Sequence, residues 1–180
     1  MFKYEGSNRK IQEAVGYIDE NLLSKLAFLI EQSRFQMSSA SSKWLSVNFI
    51  KFLKSKNFID NIYIHTYYNP FGFAIAKFKP STPDVIYLNT AKLNRSPGSI
   101  VGTLIHEASH MFDHETFEHD FGHGDNSSVG KENTFPYKAG NLAMSIVDGV
   151  VPRRGNLENR KISTVKSIYT KVLNLIRRLF

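Results

Sequence analysis

The chain has 180 residues, 42% of them hydrophobic and 13% aromatic, enough for one domain with a buried core and too few for two comfortable ones. Its net charge is +7, but residues 1–151 hold 15 basic and 15 acidic side chains, so the whole excess lies in residues 152–180, where eight Lys and Arg face only Glu158. That placement argues against a nucleic-acid binder with a basic body, and the absence of cysteine excludes disulfides, thiolate zinc sites and a cysteine nucleophile.

Residues 1–10 are polar and carry no apolar signal core. No stretch of about 18 apolar residues is present, so the expectation is no membrane span. With no cysteine, this predicts a cytoplasmic protein, or one exported by a non-classical route.

Residues 8–34 have helical spacing, with Ile11, Ala14, Val15, Ile18, Leu22, Leu26, Leu29 and Ile30 on one face; Gly16 or Asn21 could divide it. A Ser-rich loop follows at 35–43, then a second helix near 41–56 with Leu45, Phe49, Phe52 and Leu53 inward. Residues 62–68 and 71–78 are rich in aromatic and β-branched side chains, around the turn-forming Tyr68-Asn69-Pro70-Phe71-Gly72. Residues 84–89 are a third strand, expected at the sheet edge. Together these predict a small, mostly antiparallel sheet after two N-terminal helices.

Ser96-Pro97 opens the next helix, with serine as N-cap and proline in its first turn. Ile100, Val101, Leu104, Ile105, Ala108, Met111 and Phe112 form its apolar face. Residues 117–135 lack periodicity and read as a long loop, before a helix near 136–150. Residues 152–159 are a linker, and 160–180 a basic amphipathic helix. The domain is therefore 1–151, and 152–180 is a tail that packs on it or meets an anionic membrane or a partner groove.

Five of the six histidines lie between 106 and 123, and seven of the 16 acids between 107 and 132. The densest part is His106-Glu107-Ala108-Ser109-His110. Two histidines four apart share a helix face and reach one Zn²⁺. Glu107 beside them can take a proton from a water on the metal and pass it to a leaving amine. This is the HExxH arrangement of zincins.

A third ligand must come from elsewhere, among His114, His119, Asp120, His123 and Asp125. His114 is one turn further along the same helix and is set aside. His123 has a glycine on each side, which permits a tight return of the chain. Asp120 competes with it. Asp120, Asp125 and Asn126 could instead form a calcium loop, although EF-hand spacing is missing. Tyr137 is the candidate oxyanion donor; its alternative role is packing on its own helix.

Ile86-Tyr87-Leu88 followed by Gly102-Thr103-Leu104-Ile105-His106-Glu107-Ala108-Ser109-His110 resembles the aspzincins, the deuterolysin and peptidyl-Lys metalloendopeptidase group. The resemblance runs from 85 to 124. It implies an α+β zincin-like fold, one zinc per chain and hydrolysis of protein or peptide substrates. It also implies Asp120 as third ligand, because Asp120-Phe121-Gly122-His123-Gly124 is similar to the family's ligand segment. The Gly-Thr expected before that Asp is replaced by Glu118-His119. The block after His123 looks more like small zincin-like proteins with histidine as third ligand, so His123 and Asp120 both stand. Two further readings remain: a non-enzymatic zincin-like module that binds through its tail, and a zinc enzyme acting on a bond other than an amide.

Overall fold

The computed structural model describes residues 2–35, 40–55, 61–116, 121, 131 and 133–149. In chain order these hold β1 (Phe2–Lys3), α1 (Arg9–Gly16), α2 (Glu20–Glu31), α3 (Ser42–Ser55), β2 (Ile62–Tyr67), β3 (Ala76–Phe78), β4 (Val85–Asn89), α4 (Pro97–Thr116) and α5 (Phe135–Asp148). A single 3-10 turn, Thr90–Lys92, joins β4 to the α4 approach. This is an α+β fold. The expected C-terminal helix of 160–180 lies outside the described residues, as does most of the expected 117–135 loop.

The apolar stretch of 8–34 divides at Tyr17. Asn8 caps α1 through the Lys10 N–H at 3.1 Å, and Asp19 starts α2 by accepting the Leu22 N–H at 2.8 Å. Both are N-cap chemistry, in which a short polar side chain satisfies an otherwise orphaned amide. In α4, the Ser96 hydroxyl accepts the Ser99 N–H at 3.1 Å, and Pro97 is the first helical residue. The seven residues expected on its apolar face are all buried.

Aromatic rings tie the helices together. The Phe49 ring on α3 meets Phe112 of α4 at 5.6 Å and Phe135 of α5 at 5.1 Å, both edge to face. That geometry suits the ring quadrupoles. α1 packs on α4, and α2 on both α3 and α5. Among the described residues no helix is long and apolar enough to cross a membrane.

The sheet corrects two expectations. Its order is β1-β2-β4-β3. β1 with β2 and β2 with β4 are parallel, and only β3 with β4 is antiparallel. The sheet is thus mixed, not mostly antiparallel. The turn at 68–72 does not fold β2 back onto the next strand. The chain runs past to β3, and β4 then inserts between the two. β4 is therefore internal, and β1 and β3 are the edges.

Asn89, at the end of β4 and fully buried, accounts for this path. Its Oδ1 accepts the Asn69 N–H at 3.0 Å and the Ala91 N–H at 3.2 Å. Its Nδ2 donates to the Asn69 carbonyl at 2.8 Å and the Ala74 carbonyl at 3.2 Å. The amide does for the 69–74 loop what a hairpin ladder would have done. Leucine there has similar volume but leaves these backbone groups unpaired. Asn89→Leu should lower stability by about 2–4 kcal/mol in urea unfolding, because unsatisfied buried polar groups cost about 1–3 kcal/mol each.

Candidate metal centre and catalytic cleft

The site lies where α4 crosses α5 beside the sheet edge. The two helices run antiparallel and meet through glycines. A Cβ on Gly102 would fall 2.6 Å from the Gly140 carbonyl oxygen, and one on Gly140 would fall 2.5 Å from the Gly102 carbonyl oxygen. Neither position can carry a side chain without a shift of backbone. At the far end of the crossing, the Asp148 carboxylate of α5 accepts the Gly98 N–H at 2.9 Å and the Ser96 hydroxyl at 2.5 Å. An anion at the start of α4 also complements the helix dipole.

This close approach sets Tyr137 against the first histidine. The ring centroids of Tyr137 and His106 are 4.6 Å apart and steeply inclined. His106 and His110 lie one turn apart, with centroids separated by 5.1 Å. Two imidazoles so placed on one helix face suit shared coordination of one cation. Among the described residues no three metal-ligating side chains converge. His123 and Asp120, the two third-ligand candidates, lie outside the described residues, as do His119 and Asp125. Phe121, between His123 and Asp120 in sequence, is described and buried. Its ring packs 5.1 Å from Phe135, and its N–H donates to Asp113 Oδ2 at 2.8 Å. The chain therefore returns to α4 one turn beyond His110. The His114 ring lies 5.7 Å from Phe78 instead, beside the strand edge.

Glu107 points toward β3. Its Oε2 accepts the Phe78 backbone N–H at 2.8 Å. Burial pushes its carboxyl from the ordinary 4.5 up to about 7, against the lowering effect of the Phe78 bond. Desolvation dominates because a single neutral donor does not replace the lost hydration. Burial, and after it the charge of Glu107, also raise the Tyr67 phenol above its usual value.

A cavity of about 270 Å³ opens here. His106, Glu107 and Tyr137 form one wall, Phe73 to Ala76 of the edge strand and its approach another, and Arg95, Ser99 and Thr103 the end. Phe73, 90% exposed, makes an apolar lip. Sequence reasoning singled out His106, Glu107, His110 and Tyr137, and the fold brings them together. It missed Gly140, the Phe78 N–H, Tyr67 and Arg95. Gly140 stands three residues after Tyr137, and Arg95, Ser99 and Thr103 recur at four-residue intervals; both are helical spacings readable in retrospect. The Phe78 amide leaves no sequence signal.

No protein-family model matches the chain, and neither a curated protein nor a solved structure matches it.

Two outcomes follow from the geometry. Gly140→Ala forces α5 away from α4 and should cost about 1–3 kcal/mol in urea unfolding. It should also shift the His106 ring proton resonances, as Tyr137 moves off the imidazole. In the metal-free protein, Glu107 ionises more readily in the unfolded chain than in the folded one. Its burial therefore costs nothing well below pH 4.5, progressively more as pH rises, and its full amount above about 7. Between pH 5 and 8 the wild type should lose up to about 3 kcal/mol of stability relative to Glu107→Gln, whose amide oxygen still accepts the Phe78 N–H.

Proposed function

We propose that the chain is a zinc-dependent endopeptidase and that Glu107 is its general base and acid. The observation that carries this reading is the pairing of His106 and His110 at 5.1 Å, beside a cavity that Glu107 and Tyr137 also line. The donor set fits zinc, since two imidazoles and a third His or Asp leave one position open for substrate. His106 and His110 would hold the ion, together with His123 or Asp120. Zinc, when bound, supplies Lewis acidity at the scissile carbonyl and lowers the pKa of a nearby water.

The protein groups do the rest. The Phe78 N–H holds Glu107 by Oε2 and leaves Oε1 to receive the proton of the attacking water. The same oxygen returns that proton to the amine of the departing peptide. Burial raises the Glu107 carboxyl above its ordinary value, toward the range in which it can both take up and return a proton. Tyr137, held against His106, is the candidate donor to the oxyanion. The outer edge of β3 offers backbone groups to an extended peptide, a strand-addition mode that suits a peptide substrate better than a compact one.

Purified protein loaded with zinc tests the reading. One zinc per chain is expected by elemental analysis, with cleavage of an unfolded protein substrate. Glu107→Gln should retain the zinc and lose about 10²–10⁴-fold in kcat, whereas His106→Ala should lose the zinc itself. Turnover that persists in the Glu107 variant would sink the mechanism.

A further inference from the structure

The loop that carries the chain from β2 to β3 presents apolar side chains to water. Of the eight large hydrophobic residues exposed among the described residues, Tyr68, Phe71, Phe73 and Ile75 lie within this one loop. Phe71 and Phe73 are the most exposed of the eight, at 92% and 90%. Single exposed apolar residues are ordinary on a protein surface, whereas a contiguous group marks a contact. The backbone beneath the group is fastened. The Gly72 N–H donates to Asn69 Oδ1 at 2.8 Å. The Ala74 carbonyl accepts from Asn89 Nδ2 at 3.2 Å, and the Ile75 carbonyl accepts the Asn89 N–H at 2.8 Å. Phe73 stands between these anchors. A ring carried on fixed backbone loses less freedom when something packs against it than one on a loose loop.

Phe71 and Phe73 are equally exposed but differently placed. Phe73 lines the cavity together with Ile75, His106 and Glu107, and Phe71 does not. Across the cavity lies the crossing of α4 and α5. There Gly102 and Gly140 have no side chains to fill the space, and Met144 adds a flexible thioether to the wall. We propose that Phe73, Ile75 and Met144 form the specificity subsite of the cleft and that it receives a large apolar side chain of the substrate. That side chain enters over the two glycines and covers the Phe73 ring, so apolar surface leaves water on both sides of the contact. His106 and Glu107 line the same cavity, which puts the recognised residue next to the scissile bond or one position beyond it. A lipid surface or a second copy of the chain would cover Phe71 as well as Phe73, because both rings stand out from the loop. A side chain inside the cavity meets Phe73 alone.

This inference rests on the peptidase reading, and the experiment separates the two. Zinc-loaded full-length protein is given peptide series with Leu, Phe, Ala or Gln at each position within two residues of the cut. At one position, Leu and Phe should exceed Ala and Gln by roughly 10- to 100-fold in kcat/KM, the value of burying one large apolar side chain. Phe73→Ser should cut that ratio roughly fivefold or more, chiefly through KM, and leave the Ala peptides nearly unchanged. Phe73→Leu should keep most of it, and Phe71→Ser all of it. Zinc content and near-UV circular dichroism check that each variant remains folded and loaded. Cleavage without an apolar preference, or a preference that survives Phe73→Ser, overturns the assignment and leaves the peptidase reading standing. A preference lost equally in Phe71→Ser also overturns it, in favour of docking on the whole loop. If no peptide is cut, the peptidase reading fails and the subsite is read by binding alone. N-acetyl-leucinamide is then titrated over the millimolar range, with N-acetyl-glycinamide as control, and the amide resonances of Ile75, Ala76 and Gly102 are followed. Saturable shifts with the leucine compound alone, lost in Phe73→Ser, support the subsite. Their absence overturns it.

Discussion

The contact on which the site depends is the glycine-to-glycine crossing of α4 and α5. Helices carrying ordinary side chains at a contact stay about 8–10 Å apart. Here the Gly102 and Gly140 carbonyl oxygens each lie 2.5–2.6 Å from where a Cβ on the other residue would stand. The closeness turns two independent helices into one wall of a cleft. It sets Tyr137 against His106 at 4.6 Å and lets Asp148 reach back to the first turn of α4. It also shapes the cavity, since Gly102, Gly140, Asn141 and Met144 line it between the histidine and Arg95.

The second constraint comes from the sheet. Because β4 inserts between β2 and β3, the edge strand beside α4 is β3. Its outward-pointing Phe78 N–H meets Glu107, so a buried carboxylate is held by backbone in a fixed direction. One hydrogen bond does not offset the desolvation of a full charge, and the carboxyl answers by holding its proton up to about pH 7. Asn89 stands behind this arrangement, because its four bonds set the path of the loop that carries the chain from β2 around to β3.

Polarity along the cleft is the consequence. The Glu107 carboxyl and the His106 imidazole line one part of it, and Arg95, with no ion pair among the described residues, lines another. Between them run the apolar Phe73 lip and the backbone of β3.

Local order accounts for what was readable beforehand. The 3.6-residue period marked the helices, Ser96-Pro97 marked the start of α4, and the four-residue spacing of His106 and His110 placed both on one face, because each signal is written in neighbouring residues. Of the two breaks the sequence offers within 8–34, Gly16 and Asn21, the chain uses Gly16, where α1 ends, and Asp19 caps the second helix. What depended on segments far apart was not readable. A hairpin turn and a crossing loop have the same Asn-Pro-Gly chemistry, so the strand order waited on Asn89 and its distant partners. Gly140 is an ordinary glycine until α4 lies against it. The sequence by itself determined the chemistry available: histidines, a glutamate, no thiols, and a helix to carry them. Tertiary structure alone decided which strand faces that helix, how closely α5 approaches it and where a carboxyl is buried, because hydrogen-bond partners, close approach and desolvation are properties of pairs that the chain brings together only by folding.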